Sequence, residues 1–192
     1  GPGADLDLPL TLTAPAPLAV DDACAILTAG IQDVTNTLVE NFKLNDVLRM
    51  ILETMFRALA FRHVVFCLRD ARSAALTGRF GFGDGIDAMV AEFKVPLKQG
   101  SGADLFSAAC MKGADVFIAD ASATAIATRL PAWFRQGVQA KSFLLLPVLL
   151  NNAPLALIYA DHGSTGAQLG QRELSLLRTL RNQAVMAFKQ AS

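Results

Sequence analysis

The fold is decided by the stretch Ser142-Phe-Leu-Leu-Leu-Pro-Val-Leu-Leu-Asn-Asn-Ala-Pro-Leu-Ala-Leu-Ile-Tyr-Ala-Asp161, two nearly unbroken apolar runs joined by Asn151-Asn152. A strand that is wetted on one face alternates apolar with polar residues, and these runs do not. Both strands must therefore be covered on both faces. The sequence predicts a hairpin in the middle of a sheet, with helices on either side of that sheet.

Composition places the chain among globular proteins. Its 192 residues suit one domain, or one domain with an extension, and are 53% hydrophobic and 18% charged, which excludes a disordered chain and favours a face reserved for a partner. The chain has 17 Lys and Arg residues and 17 Asp and Glu residues, so it has no net positive charge that would attract polyanions. We therefore expect no nucleic acid as a partner.

Several features bear on the compartment. No run reaches the roughly 18 apolar residues needed to cross a bilayer, and the start lacks the pattern of a secretory signal. Cys24, Cys67 and Cys110 are far apart, and each falls in a predicted helix or strand of apolar character. We expect a cytoplasmic protein without membrane contact, in which these cysteines are buried thiols.

The first 20 residues differ from the rest. Gly1-Pro2-Gly3 is typical of the remnant of a purification tag, and Pro9, Pro15 and Pro17 punctuate a segment typical of an interdomain linker. We therefore expect residues 1–20 to be tag and linker, and residues 21–192 to be one domain with an N-terminal helix over 21–41 and a core over 44–190. On this interpretation an amino-terminal output domain of the same chain precedes it.

Periodicity and turn residues predict the remaining elements in order. After the helix that Asp21-Asp22 can cap come a helix over 45–59 and a strand hairpin over 63–69 and 74–82. A short edge strand over 93–97, a helix over 102–111, a strand over 115–120 and a short helix opened by Pro131 follow. The long hairpin and a helix over 169–190 complete an antiparallel arrangement, with no internal repeat.

The terminal helices carry narrow apolar stripes. These stripes can close against each other on the outer face of the sheet, and what remains of them can pair across a two-fold axis. The alternative is that both stripes are buried entirely within one subunit. We favour a homodimer, and the interface residues expected are Leu27, Ile31, Val34, Leu38, Leu174, Leu177, Ala184 and Phe188.

At this point the chain resembles a GAF domain, the α/β sensory module related to PAS domains. The resemblance covers about residues 40 to 190 and rests on four segments: 44–52, 64–68, 115–120, and 143–150 continuing to Pro154-Leu-Ala-Leu-Ile-Tyr159. It implies a central antiparallel sheet of about six strands with helices on both faces. The sequences of Arg129–Arg135 and Leu177–Ala184 also resemble those of the GAF domains that follow an HDOD domain in bacterial signalling proteins.

The resemblance implies a small-molecule pocket between the sheet and a lid formed by residues 102–111 and 120–133. The residues expected to border this pocket are Arg79, Asp104, Ser107, Arg129, Trp133 and Tyr159. Filling of the pocket by Phe66, Phe106 and Phe117 would favour a domain without a ligand. The signature of cyclic-nucleotide GAF domains cannot be placed here in order, and no cysteine has the histidine neighbour of bilin-binding GAF domains.

Other chemistry has weaker support. The free methionine sulfoxide reductase is a GAF-type enzyme with three cysteines, but the cysteines here fall on buried elements instead of exposed electropositive ones. His63 and Cys67 share a strand face, and His162 ends another strand, yet structural zinc takes four ligands at short paired spacings. The glycines of 78–85 lack the spacing of a phosphate loop. We expect no catalysis, metal or cofactor.

The sequence therefore predicts a regulatory domain of a bacterial signal-transduction protein. It would bind a small molecule, mediate dimerisation, or do both, without turnover. A ligand-free homodimerisation module and a redox enzyme remain as alternatives.

Overall fold

A computed structural model describes residues 19–98, 100–163 and 169–191, so the predicted tag and the first 18 residues lie outside the described part. The elements in chain order are α1 (Ala19–Leu38), α2 (Leu44–Ala58), β1 (His63–Asp70), β2 (Ala75–Gly83), α3 (Ile86–Glu92), β3 (Lys94–Pro96), α4 (Leu105–Lys112), β4 (Val116–Ile118), α5 (Thr124–Ala127), a π-helical turn (Phe134–Val138), β5 (Phe143–Leu150), β6 (Ala153–Asp161) and α6 (Gln171–Ala191).

One antiparallel sheet organises the fold. Its six strands lie in the order β3-β2-β1-β6-β5-β4, so β5 and β6 are interior strands that pair from Phe143 opposite Asp161 to Leu150 opposite Ala153. Asn151 and Asn152 join them with φ angles of 54° and 63°, the left-handed geometry that a two-residue hairpin turn requires. The prediction of a central antiparallel hairpin is confirmed.

Two separate cores explain why β5 and β6 are apolar throughout. Leu144 and Ile158 belong to a core that the sheet shares with α1, α2 and α6, which we call the helix layer. Leu145 and Tyr159 belong to the core on the opposite face, under α3, α4 and the segment 121–140, which together we call the lid. Because successive side chains of a strand point to opposite faces, the central positions of both strands have an apolar environment on either face.

Several helix boundaries differ from those that the sequence pattern predicts, and capping residues explain two of them. The first helix ends at Leu38 instead of residue 41, and the helix expected over 102–111 begins at Leu105. It begins there because the Asp104 carboxylate accepts a hydrogen bond from the Ser107 backbone N–H at 2.8 Å, which caps the helix. It ends at Lys112 because Gly113, the next residue, takes a left-handed φ of 68°.

Two lid helices were not predicted. α3 follows the glycine cluster, where Gly85 adopts the left-handed conformation at its start, and its apolar residues Ile86, Met89 and Val90 recur at helical spacing. α5 has no buried residues and no such stripe. Among the helices that the structure describes, none is long and apolar enough to cross a membrane.

Candidate functional site

The centre of the space between sheet and lid is filled by aromatic side chains. Phe93 lies with its ring centroid 4.8 Å from Trp133 and 5.0 Å from Tyr159, and Phe106 lies 5.1 Å from Phe134 and 5.4 Å from Phe143. Of the phenylalanines expected to fill a pocket, Phe106 does so, whereas Phe66 and Phe117 pack in the core on the helix-layer side. The remaining open space lies at the rim of the lid.

A buried polar network occupies one edge of the lid, where β1 begins and β6 ends. The carboxylate of Asp161 is fully buried and accepts hydrogen bonds from the Tyr159 hydroxyl at 2.5 Å and from the Gly163 backbone N–H at 3.0 Å. Nδ1 of His63 lies 3.0 Å from Asp161 Oδ1. β1 and β6 pair His63 directly with Asp161, so strand register brings these groups together. Such a satisfied network fixes the side chains in one arrangement.

The electrostatics of the network follow from burial and from the Asp161 charge. Burial raises the pKa of the Tyr159 hydroxyl, and the neighbouring Asp161 carboxylate raises it further, so Tyr159 stays protonated as a donor. Burial lowers the pKa of His63, but the hydrogen bond and the charge of Asp161 outweigh it and leave that pKa above its ordinary value. The network therefore favours a protonated histidine beside a carboxylate.

A cleft of about 200 Å³ opens next to this network, and we call it the rim cleft. Its charged lining comes from Arg62 and His63 at the start of β1, from Asp84 after β2, and from Glu92 on α3. The other residues that line it are Gly85, Ala88, Met89, Gly137 and Val138. The rim cleft thus combines both signs of charge with a small apolar wall, a composition suited to a small polar molecule.

The residues predicted to border a pocket do not form one site. Tyr159 is fully buried in the network described above, and Trp133 packs on the aromatic cluster. Ser107 is also fully buried, and its hydroxyl donates to the Pro96 carbonyl oxygen at 2.6 Å, so it ties α4 to β3. Asp104 caps α4. These four side chains thus have structural roles in the lid and in its contact with the sheet.

The two predicted arginines lie elsewhere on the surface. Arg79 is the unpaired residue of a β-bulge, between Gly78 opposite Cys67 and Phe80 opposite Phe66, and its side chain is exposed. Arg129 lines a different cleft of about 450 Å³ on the outside of α4, together with Lys98 and Lys112. Neither arginine reaches the rim cleft.

Sequence reasoning overlooked Asp161, Arg62, Asp84 and Glu92. The signal for Asp161 was present, because it closes the strand two residues after Tyr159 and therefore faces the same side of the sheet. An aspartate on the buried face of a strand needs partners, and His63 sits opposite it in the pairing of β1 with β6. The other three are exposed side chains with no sequence pattern that marks them.

Burial keeps the thiols of Cys67 and Cys110 protonated. Burial raises the pKa of Cys67 well above its ordinary value, and the neighbouring Cys110 adds to this. Burial raises the pKa of Cys110 to about 12. Cys24 is buried as well, and its sulfur donates to Glu173 Oε2 at 3.6 Å. The two thiols nearest the lid core are therefore poor nucleophiles at neutral pH.

The residues predicted for a dimer interface pack inside one subunit. Leu27, Val34, Leu177 and Ala184 have no exposed surface, and Leu38 and Phe188 are 7% and 9% exposed. Ile31 and Leu174 are partly buried against the same core. An interface between subunits would therefore need other faces of α1 and α6. Within the described ranges, no group of three or more His, Cys, Asp or Glu side chains could hold a metal ion.

A six-stranded antiparallel sheet, covered by terminal helices on one face and by a lid on the other, places the chain among α/β domains built on one covered antiparallel sheet. A family model described as GAF domain matches residues 43–188 of this sequence. The chain belongs to the GAF domain family. A search of curated proteins finds no match.

Solved structures with this fold differ in function. The GAF domain of an Acinetobacter phosphoenolpyruvate-protein phosphotransferase is 17% identical with a TM-score of 0.67, covering 87% of this chain and 92% of that one. The free methionine-R-sulfoxide reductase of Neisseria meningitidis, solved with its substrate, is 19% identical with a TM-score of 0.68, covering 89% and 95%. A GAF domain/HD domain protein from Geobacter sulfurreducens is 11% identical with a TM-score of 0.64, covering 77% and 93%. At these identities the likeness concerns the fold alone.

Proposed function

We propose that this chain is the regulatory domain of a cytoplasmic bacterial signalling protein, and that it changes the placement of its terminal helices without turnover. The observation that carries the proposal is the rim cleft, where the buried His63–Asp161–Tyr159 network meets an open space of about 200 Å³. Buried titratable groups grouped beside a cleft are a common mark of a binding site.

The strands that carry the network also contact the terminal helices. β1 places His63 on the lid side and Phe66 on the helix-layer side, where its ring stacks on Phe188 of α6 at 6.3 Å. α6 is tied to α1 because Gln183 Nε2 donates to the Ile31 carbonyl oxygen at 3.1 Å and to Thr35 Oγ1 at 2.9 Å. A ligand that binds one placement of these strands better than another would shift the helices with them.

The size and charge of the rim cleft restrict the ligand. About 200 Å³ is smaller than the roughly 300–1,000 Å³ of sites for drug-sized molecules. Arg62 can bind an anionic group, and Asp84 or Glu92 can bind a cationic one. We therefore propose a small metabolite that carries both charges, of about the size of an amino acid.

Thermal unfolding with a panel of amino acids, nucleotides and other metabolites tests this proposal. A ligand at 100 times its dissociation constant adds roughly 2.7 kcal/mol to the free energy of unfolding and raises the melting temperature. Ala88→Trp places a large ring in the rim cleft and should abolish that shift. Ala91→Trp is the matched control, because Ala91 is exposed on the same helix but does not line the cleft. Equal shifts in wild type and Ala88→Trp would place the ligand elsewhere.

A ligand-free dimerisation module is the second candidate, and the aromatic filling under the lid favours it. Phe93, Phe106 and Tyr159 occupy the position at which a central ligand would lie. In this case the input is a partner chain and the output passes to an amino-terminal domain, for which the resemblance of residues 129–135 suggests an HDOD domain. A mass of twice 20.4 kDa by light scattering, with no thermal shift from any compound, would favour this candidate.

The redox enzyme is the third candidate, and the state of the thiols argues against it. Catalysis through Cys67 or Cys110 needs a thiolate, and burial raises the pKa of both groups. The test is methionine sulfoxide reduction by the purified protein with a thiol reductant. Turnover that is lost in Cys67→Ser or Cys110→Ser, with the fold intact by circular dichroism, would replace the regulatory proposal with an enzymatic one.

A further inference from the structure

His63 faces hydrogen-bond acceptors on both ring nitrogens. Nδ1 lies 3.0 and 3.1 Å from the two carboxylate oxygens of Asp161, which already accept from Tyr159 and Gly163. Nε2 lies 2.8 Å from the carbonyl oxygen of Asp84. A neutral imidazole has only one N–H, whereas the imidazolium has two. Only the protonated ring can donate to both partners.

The Asp84 carbonyl belongs to the turn between β2 and α3, which glycines flank on both sides. Gly83 has a φ of 133° and Gly85 a φ of 61°, conformations that glycine adopts at little steric cost. α3 follows directly; Met89 is its one buried residue, and Ile86 and Val90 are half-buried against the lid core. The turn and α3 also form one wall of the rim cleft. The bond from His63 therefore anchors a turn that has a permissive glycine on each side, at the point where the chain enters α3.

We propose that His63 is a protonation-controlled latch, which holds the 83–85 turn and α3 against the sheet when it is charged and releases them when it is neutral. On loss of one proton, the remaining N–H stays on Nδ1, because the fully buried Asp161 carboxylate needs that donor. Nε2 then presents a lone pair to the Asp84 carbonyl oxygen. Two acceptors at hydrogen-bond distance repel each other, so the turn separates and water takes the place of the ring.

The groups that face His63 set the direction of the switch. Asp161 on β6 favours the charged form of the His63 ring, and the neighbouring Arg62 disfavours that form. Tyr159 contacts Asp161 and acts on His63 only through it. Asp84 and Glu92 bring carboxylates to the rim cleft from the turn and α3, and the 121–140 segment of the lid contributes Gly137 and Val138, which do not titrate. Burial lowers the pKa of His63, but the Asp161 interactions and the Asp84 carbonyl raise it above the ordinary 6.5. The latch is therefore closed at low pH and opens as the pH rises.

A pH titration followed by NMR tests the latch, and no ligand is needed, so it is independent of the ligand panel above. The chain has only two histidines, so His162→Gln leaves the His63 ring signals alone in the spectrum. We expect the His63 midpoint to lie above 6.5 and the amide signals of residues 84–89 to shift with the same midpoint. Hydrogen exchange of these amides, corrected for its intrinsic pH dependence, should speed up severalfold above the midpoint.

Two matched variants identify the group responsible. His63→Gln should abolish the pH response of residues 84–89, and His162→Gln, which replaces a ring packed on Phe61 at 4.6 Å, should retain it. A His63 midpoint at or below 6.5, a titrating His63 with unmoved turn amides, or an unchanged turn response in His63→Gln would each overturn the proposal. If His63→Gln does not fold, the wild-type and His162→Gln titrations decide the question on the first two of these results.

Discussion

At the scale of single residues, the His63–Asp161–Tyr159 network is the most consequential arrangement in the described chain. It places a charged pair and a phenol in a region where unpaired polar groups are costly, and each of its members needs the others. The network therefore contributes to stability in ways that substitutions and pH can reveal.

Tyr159→Phe should destabilise the protein by about 2 kcal/mol, the usual range for a hydrogen bond to a charged group. The substitution keeps the ring contacts with Phe93 and Phe143 and removes only the donor to Asp161. Urea unfolding measures the loss. Ser122→Ala removes an exposed hydrogen bond to Asp120 and should stay within about 0.5 kcal/mol. Equal effects of the two variants would show that the buried network contributes nothing special.

The free energy of unfolding should fall as the pH rises through the folded-state pKa of His63. Because that pKa lies above the 6.5 of an ordinary histidine, the stabilisation is fully present below about pH 6.5 and is lost above the folded value. Urea unfolding of wild type and His63→Gln across this window measures it. The difference between the two proteins should shrink with rising pH, and a difference that stays constant or grows would contradict the direction of the shift.

At the scale of elements, an ion pair ties the carboxyl-terminal helix to the β4–β5 edge of the sheet. Arg181 on α6 donates from Nη1 and Nη2 to the two oxygens of Asp115, just before β4, at 2.5 and 3.0 Å, and from Nη1 to the Pro147 carbonyl oxygen at 2.9 Å. Arg178 reaches the same carboxylate at 3.3 Å from a side chain that is 45% exposed. Arg181 thus connects α6 with the start of an edge strand through Asp115 and with β5 through Pro147.

Arg181→Met should cost about 2 kcal/mol of stability, because it removes the two hydrogen bonds to the partly buried Asp115 carboxylate and the one to the Pro147 carbonyl oxygen, and leaves only the exposed Arg178 beside Asp115. Arg178→Met is the matched control and should cost less than about 1 kcal/mol, as exposed ion pairs do. Denaturant unfolding of both variants provides the measurement. A larger loss in Arg178→Met than in Arg181→Met would mean that the bidentate contact is not the main link.

The elements also show how far pattern reasoning extends. Long amphipathic or apolar segments such as α2, β1 and the β5–β6 hairpin were predicted close to their bounds, because burial of a face dictates their periodicity. α3 was missed because its seven residues follow three glycines, and a pattern that short does not distinguish a helix from a loop. The lid, which borders the candidate site, is built from such short elements.

At the scale of the whole molecule, the described chain uses the inner stripes of α1 and α6 within one subunit and leaves other apolar side chains outside. Met186 on α6 is 49% exposed and Val39 after α1 is 82% exposed. Any homodimer built on the terminal helices would use these outer surfaces, because the inner stripes are already covered.

We expect light scattering to give a mass of twice 20.4 kDa, and Met186→Arg to return the protein to the monomer mass. In a two-fold interface the arginine introduced at position 186 would face the same arginine of the other subunit. Two buried like charges without partners would destabilise the dimer. Ala71→Arg, in the exposed turn between β1 and β2, should leave the mass unchanged. A wild-type mass of 20.4 kDa would contradict the homodimer.

The sequence by itself determined the sheet and its two covered faces, because apolar runs without alternation require shielding on both sides, and Asn151-Asn152 requires a reversal of the chain between them. Only the tertiary structure decided the site. Asp161, His63 and Asp84 come from three distant segments, and strand register and a glycine turn bring their polar atoms within 3 Å. Such contacts depend on backbone angles and side-chain positions that no local sequence pattern encodes. The buried face of a strand, in contrast, is marked in the sequence by an apolar residue at every second position.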